Sequence, residues 1–220
     1  MSDANWLWPI DGKSFYDING NNYLVHIGWS KNSKKDYQKL SQEFFECGYK
    51  VCEKIVDSGH DNIKSDMWFF PTMYLFRQGM ELGIKALICG AISEKRKIQQ
   101  IFLDCKHDLY MLLDAYERET VILLTEEEYG WMKKYLHSLE EVDAKSDFFR
   151  FPLEDEFLLN YQNKFLDIVD MANSILQAYG IIQKCLEIPE ENRIDRFDAM
   201  RSLDFLQFAN HGFGNCYLWE

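Results

Sequence analysis

The chain has 220 residues, of which 47% are hydrophobic, and it carries a formal net charge of −12. Typical domains have roughly 150 residues, so we expect one compact unit with elaborations. The acidic balance excludes a surface that attracts nucleic acid or anionic lipid over its whole area, although it permits a local basic patch.

The beginning of the chain, residues 1–5, lacks the basic start and the long apolar run of a signal peptide. The apolar runs elsewhere fall short of the roughly 20 residues that cross a bilayer. Six cysteines occur without a CxxC pair, a pattern that favours free buried thiols in a reducing compartment. We therefore expect a cytoplasmic protein that makes no membrane contact.

Residues 1–31 are predicted to form a small β-rich flap. In this stretch Asn19-Gly20 separates two groups of β-forming residues, Phe15-Tyr16 and residues 23–25. An Asn-Gly pair in this setting is typical of a hairpin turn.

The remainder is predicted to be mainly α-helical. Apolar residues at helical spacing predict helices at about residues 33–57, 71–92, 107–119, from 126 onward, and 156–187. Residues 93–97 are expected to form a connection or a fraying helix end, and Thr125 with Glu128 matches a capping box. We predict an antiparallel bundle over residues 32–188, with a C-terminal extension at residues 189–220 packed on the same core.

The second predicted helix contains a line of charges. Arg77, Glu81 and Lys85 stand four residues apart, on one face, among apolar residues. Such charges must be exposed, paired within the fold or reserved for a ligand, because burying one charge alone costs several kcal/mol. The alternative to a ligand site is an internal ion-pair ladder that fixes helix register. Gly79 and Gly83 in the same helix indicate close packing against a neighbour.

His107 and Asp108 form a second polar cluster, at the start of the third predicted helix. Both could serve the helix start, with Asp108 matching its positive end and His107 capping it. The functional alternative makes His107 an acid, a base or an anion contact, because imidazole titrates near neutral pH.

A third cluster lies in the loop at residues 143–152, where Arg150 stands between aromatic residues. Its guanidinium group could pair with Asp143 or Asp147 and hold the loop down. Alternatively, it could bind a phosphate or a carboxylate.

Motifs for metals and cofactors do not occur in the sequence. There is no HExxH motif, no Cys/His spacing of a zinc site, and no GxxxxGK[ST] or GxGxxG phosphate loop. We predict neither a metal nor a cofactor.

Three segments in this order resemble a group of bacterial HEPN-like helical proteins. The segments are Phe76-Arg77-x-x-x-Glu81-Leu82-x-x-Lys85-x-Leu87, Lys106-His107-Asp108-Leu109 and Phe149-Arg150-Phe151-Pro152. In the group, an Arg-His-x-x-Glu-Leu-x-x-Lys helix is followed by a His-Asp-Leu helix and an Arg-Tyr-Pro loop. The similarity covers about residues 66–185.

The resemblance implies an α-helical bundle, often dimeric, of the kind found in toxin-antitoxin and phage-defence systems. Many members are metal-independent RNases in which a His follows an Arg by four to six residues on one helix. This sequence departs from that pattern, because Gln78 stands where the group often has His and no histidine follows an arginine at that spacing.

Our leading hypothesis is a HEPN-like protein of bacterial defence or toxin-antitoxin type that binds RNA, a nucleotide or a partner protein through the Arg77 face. One alternative is a metal-independent RNase in which Arg77 supplies the cation and His107 the base. Another is an acidic antitoxin or immunity protein that inhibits a basic partner. A homodimer is also expected from the resemblance. The residues predicted to bind the ligand are Glu81, Lys85, Asp108, Asp143 and Arg150.

Overall fold

The computed structural model describes residues 28–59, 61–119, 125–143, 146, 148–150 and 166–186. These ranges contain six helices and no strand. The helices are α1 (Ser33–Val56), α2 (Asn62–Ala91), α3 (Lys95–Cys105), α4 (Leu109–Glu119), α5 (Glu126–Asp143) and α6 (Ile168–Leu186).

The predicted mainly helical fold class is confirmed for the described residues. The predicted N-terminal hairpin and the C-terminal extension at residues 189–220 lie outside them. In the part of the chain that is described, no helix is both long enough and apolar enough to cross a membrane.

The helix α2 is the centre of the bundle. It packs against α1, α4 and α6, and almost every residue between Phe76 and Ile88 is buried. A helix that is surrounded by other helices has no solvent-facing side, so it is apolar nearly all round. Any charge in this part of α2 must therefore find its partners inside the fold.

The helices α1 and α2 run antiparallel. Along α1, Lys34 lies beside Gly90, and Ser41 Oγ donates to the Gly79 carbonyl at 2.6 Å. A Cβ atom added at Gly83 would lie 2.8 Å from Ile182 Cγ2 of α6. The expected close packing at these glycines is therefore confirmed.

Two predicted boundaries near α2 are wrong. This helix begins at Asn62 rather than near Pro71, because the Asp61 side chain accepts a hydrogen bond from Lys64 N and caps the end, leaving Pro71 inside the helix. A helix, α3, begins at Lys95, where a connection or a fraying helix end is predicted. The partly buried residues that pack α3 on the core are Ile98, Ile101 and Phe102.

The capping box at α5 is confirmed: Thr125 Oγ1 accepts from Glu128 N, and Glu128 Oε2 accepts from Thr125 N. The prediction of one continuous last helix over residues 156–187 is wrong. Asp167 caps a helix that begins at Ile168, because its carboxylate accepts from the backbone N–H groups of residues 169 and 170. Residues 156–165 lie outside the described ranges.

Candidate functional site

Arg77 on α2 is a buried cation surrounded by carboxylates. Its side chain is 0% exposed, and Nη1 lies 3.4 Å from Glu81 Oε2. On the same guanidinium group, Nη2 lies 3.1 Å from Glu140 Oε1, and Nε lies 3.1 Å from Asp143 Oδ2. Its positive charge is therefore compensated within the fold. We call Arg77, Glu81, Glu140 and Asp143 the buried cluster.

Two backbone carbonyls complete the environment of Arg77. Its Nη2 group donates to the carbonyl oxygen of His107 at 2.8 Å and to that of Asp143 at 3.1 Å. The planar guanidinium group thus connects α2 by hydrogen bonds to the turn before α4 and to the end of α5. This geometry agrees with the ion-pair interpretation of the charged line.

Glu140 is the member of the buried cluster that is not among the predicted site residues. Its Oε1 atom accepts from the backbone N–H of Leu109 at 2.8 Å as well as from Arg77. Burial raises the pKa of Glu140 to about 7, although the Leu109 N–H and the charge of Arg77 oppose the increase. A local signal exists, since Glu140 follows the buried Leu136 by four residues and so lies on the apolar stripe of α5.

Glu81 connects the buried cluster to the surface. Its carboxylate is 1% exposed, and Oε1 accepts from Lys85 Nζ at 2.5 Å. His107 Nδ1 lies 3.1 Å from Oε1 and 3.2 Å from Oε2 of the same carboxylate. A His107 ring that carries its proton on Nδ1 therefore donates to Glu81.

Lys85 and His107 are the outer members of this arrangement, and we call them the rim. The His107 side chain is 53% exposed and that of Lys85 is 13% exposed. No group in the described ranges is hydrogen-bonded to Nε2 of His107. The rim therefore presents an imidazole nitrogen and an ammonium group that share one buried acceptor.

The backbone before His107 is strained. Lys106 has φ of 51°, a conformation that residues with side chains rarely adopt. This turn directs both the carbonyl and the ring of His107 toward α2, where they meet Arg77 and Glu81. Strain of this kind is often found at functional sites.

The other predicted site residues have different environments. Asp108 Oδ1 accepts from Met111 N at 2.7 Å and so caps α4. Asp143 belongs to the buried cluster, and its Oδ1 atom also accepts from Phe148 N. The guanidinium carbon of Arg150 lies 5.9 Å from the ring centre of Tyr74, a residue of α2 about one helical turn before Arg77. The Nε atom of Arg150 donates to the Ser146 carbonyl.

The structure thus brings together five of the predicted site residues, Arg77, Glu81, Lys85, His107 and Asp143. Arg150 lies apart from them, over the Tyr74 ring, about one turn before Arg77 on α2. Within the described ranges, no three His, Cys, Asp or Glu side chains are grouped so that they could hold a metal ion. The chain matches no protein-family model and has no significant match among curated proteins or solved structures.

Proposed function

We propose that this chain is a HEPN-like helical protein of bacterial defence or toxin-antitoxin type that binds RNA or a nucleotide at the rim. The observation that carries the proposal is that the buried carboxylate of Glu81 holds Lys85 Nζ and His107 Nδ1 at the same time. An ammonium group and a protonated imidazole both donate strong hydrogen bonds to phosphate oxygens. Because Glu81 already orients both side chains, they lose little freedom when a phosphate binds.

In this proposal Arg77 does not contact the ligand and acts on the rim only through Glu81. Three carboxylates surround its guanidinium group, and none of its surface reaches solvent. The ligand therefore meets Lys85 and His107, and Arg77 fixes the position of Glu81. The HEPN-like assignment is supported by the order of the three sequence segments and by the helical character of the described residues.

The test is a comparison of two exposed histidines. We expect His107→Ala to weaken binding of a fluorescein-labelled oligouridylate about tenfold or more, the value of one charge-assisted hydrogen bond. The control is His137→Ala, since His137 is also exposed and its ring lies against that of Tyr110, with 5.6 Å between the ring centres. Fluorescence anisotropy measures both affinities, and circular dichroism checks folding. Unchanged binding by a folded His107→Ala variant would disprove the role of the rim.

A metal-independent ribonuclease is a second candidate, favoured by the contact between Glu81 and Nδ1 of His107. A carboxylate on Nδ1 fixes the tautomer in which Nε2 is free to accept a proton. Nε2 of His107 then removes the proton of the RNA 2′-hydroxyl, and the 2′-oxygen attacks the phosphorus. The bond from phosphorus to the 5′-oxygen breaks, and His107 returns the proton to that oxygen, leaving a 2′,3′-cyclic phosphate.

Lys85 supplies the cation in this scheme, because its ammonium group lies next to Glu81 at the rim and can stabilise the charge that develops on the phosphate oxygens. The sequence hypothesis assigns that role to Arg77, whose guanidinium group is buried.

Cleavage assays with EDTA present distinguish the ribonuclease from a binding protein. His107→Ala should abolish cleavage, and Glu81→Gln should lower its rate about 100-fold or more, a larger effect than its effect on RNA binding. His137→Ala should leave the rate unchanged. Cleavage that persists in purified His107→Ala would exclude His107 as the base.

A further inference from the structure

We infer that a basic patch at the N-terminal ends of α1 and α3 binds the phosphate backbone of single-stranded RNA and leads the strand to the rim. The patch consists of Lys31, Lys34, Lys35, Lys95 and Arg96. The inference rests on the proposed function, in which the rim binds one phosphate of the RNA. It specifies where the neighbouring phosphates of the same strand bind.

Local charge distinguishes this patch from the rest of the chain. Residues 28–39 and 92–100 contain seven Lys or Arg residues against two carboxylates, whereas the whole chain has a net charge of −12. Lysines elsewhere are commonly paired with a carboxylate: Lys50, Lys54, Lys64, Lys133 and Lys184 are examples. In the ranges that the structure covers, the five patch residues form no ion pair. Their charge is therefore available to phosphate groups.

Contacts between helices place the two segments at the same end of the bundle. The Lys34 side chain lies along Gly90, where an added Cβ atom would be 3.1 Å from Lys34 Cδ. Lys95 follows Gly90 in the chain by five residues, which span at most about 18 Å. Tyr37 of α1 and Phe102 of α3 pack edge to face with ring centres 5.8 Å apart. The two groups of cations therefore lie at the same end of the bundle.

The same contacts connect the patch to the rim. The Phe102 ring centre lies 5.5 Å from Lys85 Nζ, and Lys85 shares Glu81 with His107. Tyr37 follows Lys34 by about one helical turn on α1. The partly buried rings of Tyr37 and Phe102 therefore lie between the patch and the rim. Cations beside aromatic rings are the usual elements of a single-strand binding surface, because phosphates pair with the cations and bases stack on the rings.

The experiment compares two sets of charge reversals. One variant combines Lys35→Glu, Lys95→Glu and Arg96→Glu. The matched control combines Lys50→Glu, Lys54→Glu and Lys134→Glu, which change the net charge equally at exposed positions outside the patch. Binding of the labelled oligouridylate is measured by anisotropy over a range of salt concentrations, with circular dichroism as the folding control.

We expect the patch variant to bind at least about tenfold more weakly, and the control within about threefold of wild type. The slope of log Kd against log salt concentration should fall by about 2 in the patch variant. The variant loses three phosphate contacts, and each contact to a single strand contributes about 0.7 to the slope.

If wild type binds and His107→Ala weakens binding, but the patch variant matches the control, the inference is overturned and the proposed function stands. Failure of wild type to bind any oligouridylate or nucleotide overturns both. Wild-type binding to polyglutamate in place of RNA would overturn the inference in favour of an acidic protein partner.

Discussion

Replacing Arg77 with methionine should destabilise the fold severely. Removing one partner of a buried ion pair costs about 3–5 kcal/mol, because the remaining charge stays buried without compensation. Here the loss removes the cation that lies against three carboxylates and the donor to two carbonyl oxygens. We therefore expect Arg77→Met to lower the free energy of unfolding by about 4 kcal/mol. For a chain of this size, that corresponds to a fall in Tm of about 10 °C.

Urea denaturation followed by circular dichroism measures the effect at neutral and acidic pH. At pH 5, below the pKa of about 7 that burial gives Glu140, this carboxyl group is neutral, so the deficit should shrink there. Adding Glu140→Gln to Arg77→Met should restore part of the loss, about 1 kcal/mol or more. The control is Arg118→Met, because the Arg118 side chain is 67% exposed and pairs with Asp114 at the surface. Its cost should stay within about 0.5 kcal/mol.

A folded Arg77→Met variant within about 1 kcal/mol of wild type at neutral pH would refute the reasoning. It would mean that the carboxylates can be solvated without Arg77, and that the guanidinium group does not hold the helices together.

Two further predictions concern stability. Because burial raises the pKa of Glu140 from its ordinary value of 4.5 to about 7, the folded state favours the neutral carboxyl group. Wild type should therefore lose stability relative to Glu140→Gln as the pH rises through this window, by up to about 3 kcal/mol, measured by urea denaturation at pH 5 and pH 8. Gly83→Ala should cost about 1–3 kcal/mol, because the new methyl group would lie 2.8 Å from Ile182 Cγ2. Among the residues that the structure describes, no atom lies within 4 Å of the methyl group that Gly130→Ala adds, so this variant should raise Tm slightly. Equal effects at the two glycines would contradict the close packing of α2.

The sequence predicts those features that depend on local periodicity. The spacing of Arg77, Glu81 and Lys85 is enough to place them on one line, since helix geometry determines which residues are neighbours. The capping box at Thr125 is equally local. By contrast, α3 begins with three cations and places one buried residue, Cys105, at its last position. Its other core-facing apolar residues are only partly buried, so its periodicity is masked by polar residues.

The environment of the charged line could not be read from the sequence, because it depends on tertiary packing. Glu140 meets Arg77 across 63 positions of the chain, and Arg77 is buried by the approach of α5 and of the turn before α4 to α2. His107 reaches Glu81 because of the strained turn at Lys106, which no sequence pattern indicates.

NMR of the protein with 15N-labelled histidine rings tests whether Glu81 holds His107 where RNA binds. The chain has five histidines, and His107→Ala assigns the relevant signals. In the free protein, the signals of His107 should report a proton on Nδ1. Titration with oligouridylate should shift the His107 ring signals and leave those of His137 in place. Binding of RNA with an unchanged His107 ring would contradict the proposal that the rim is the site.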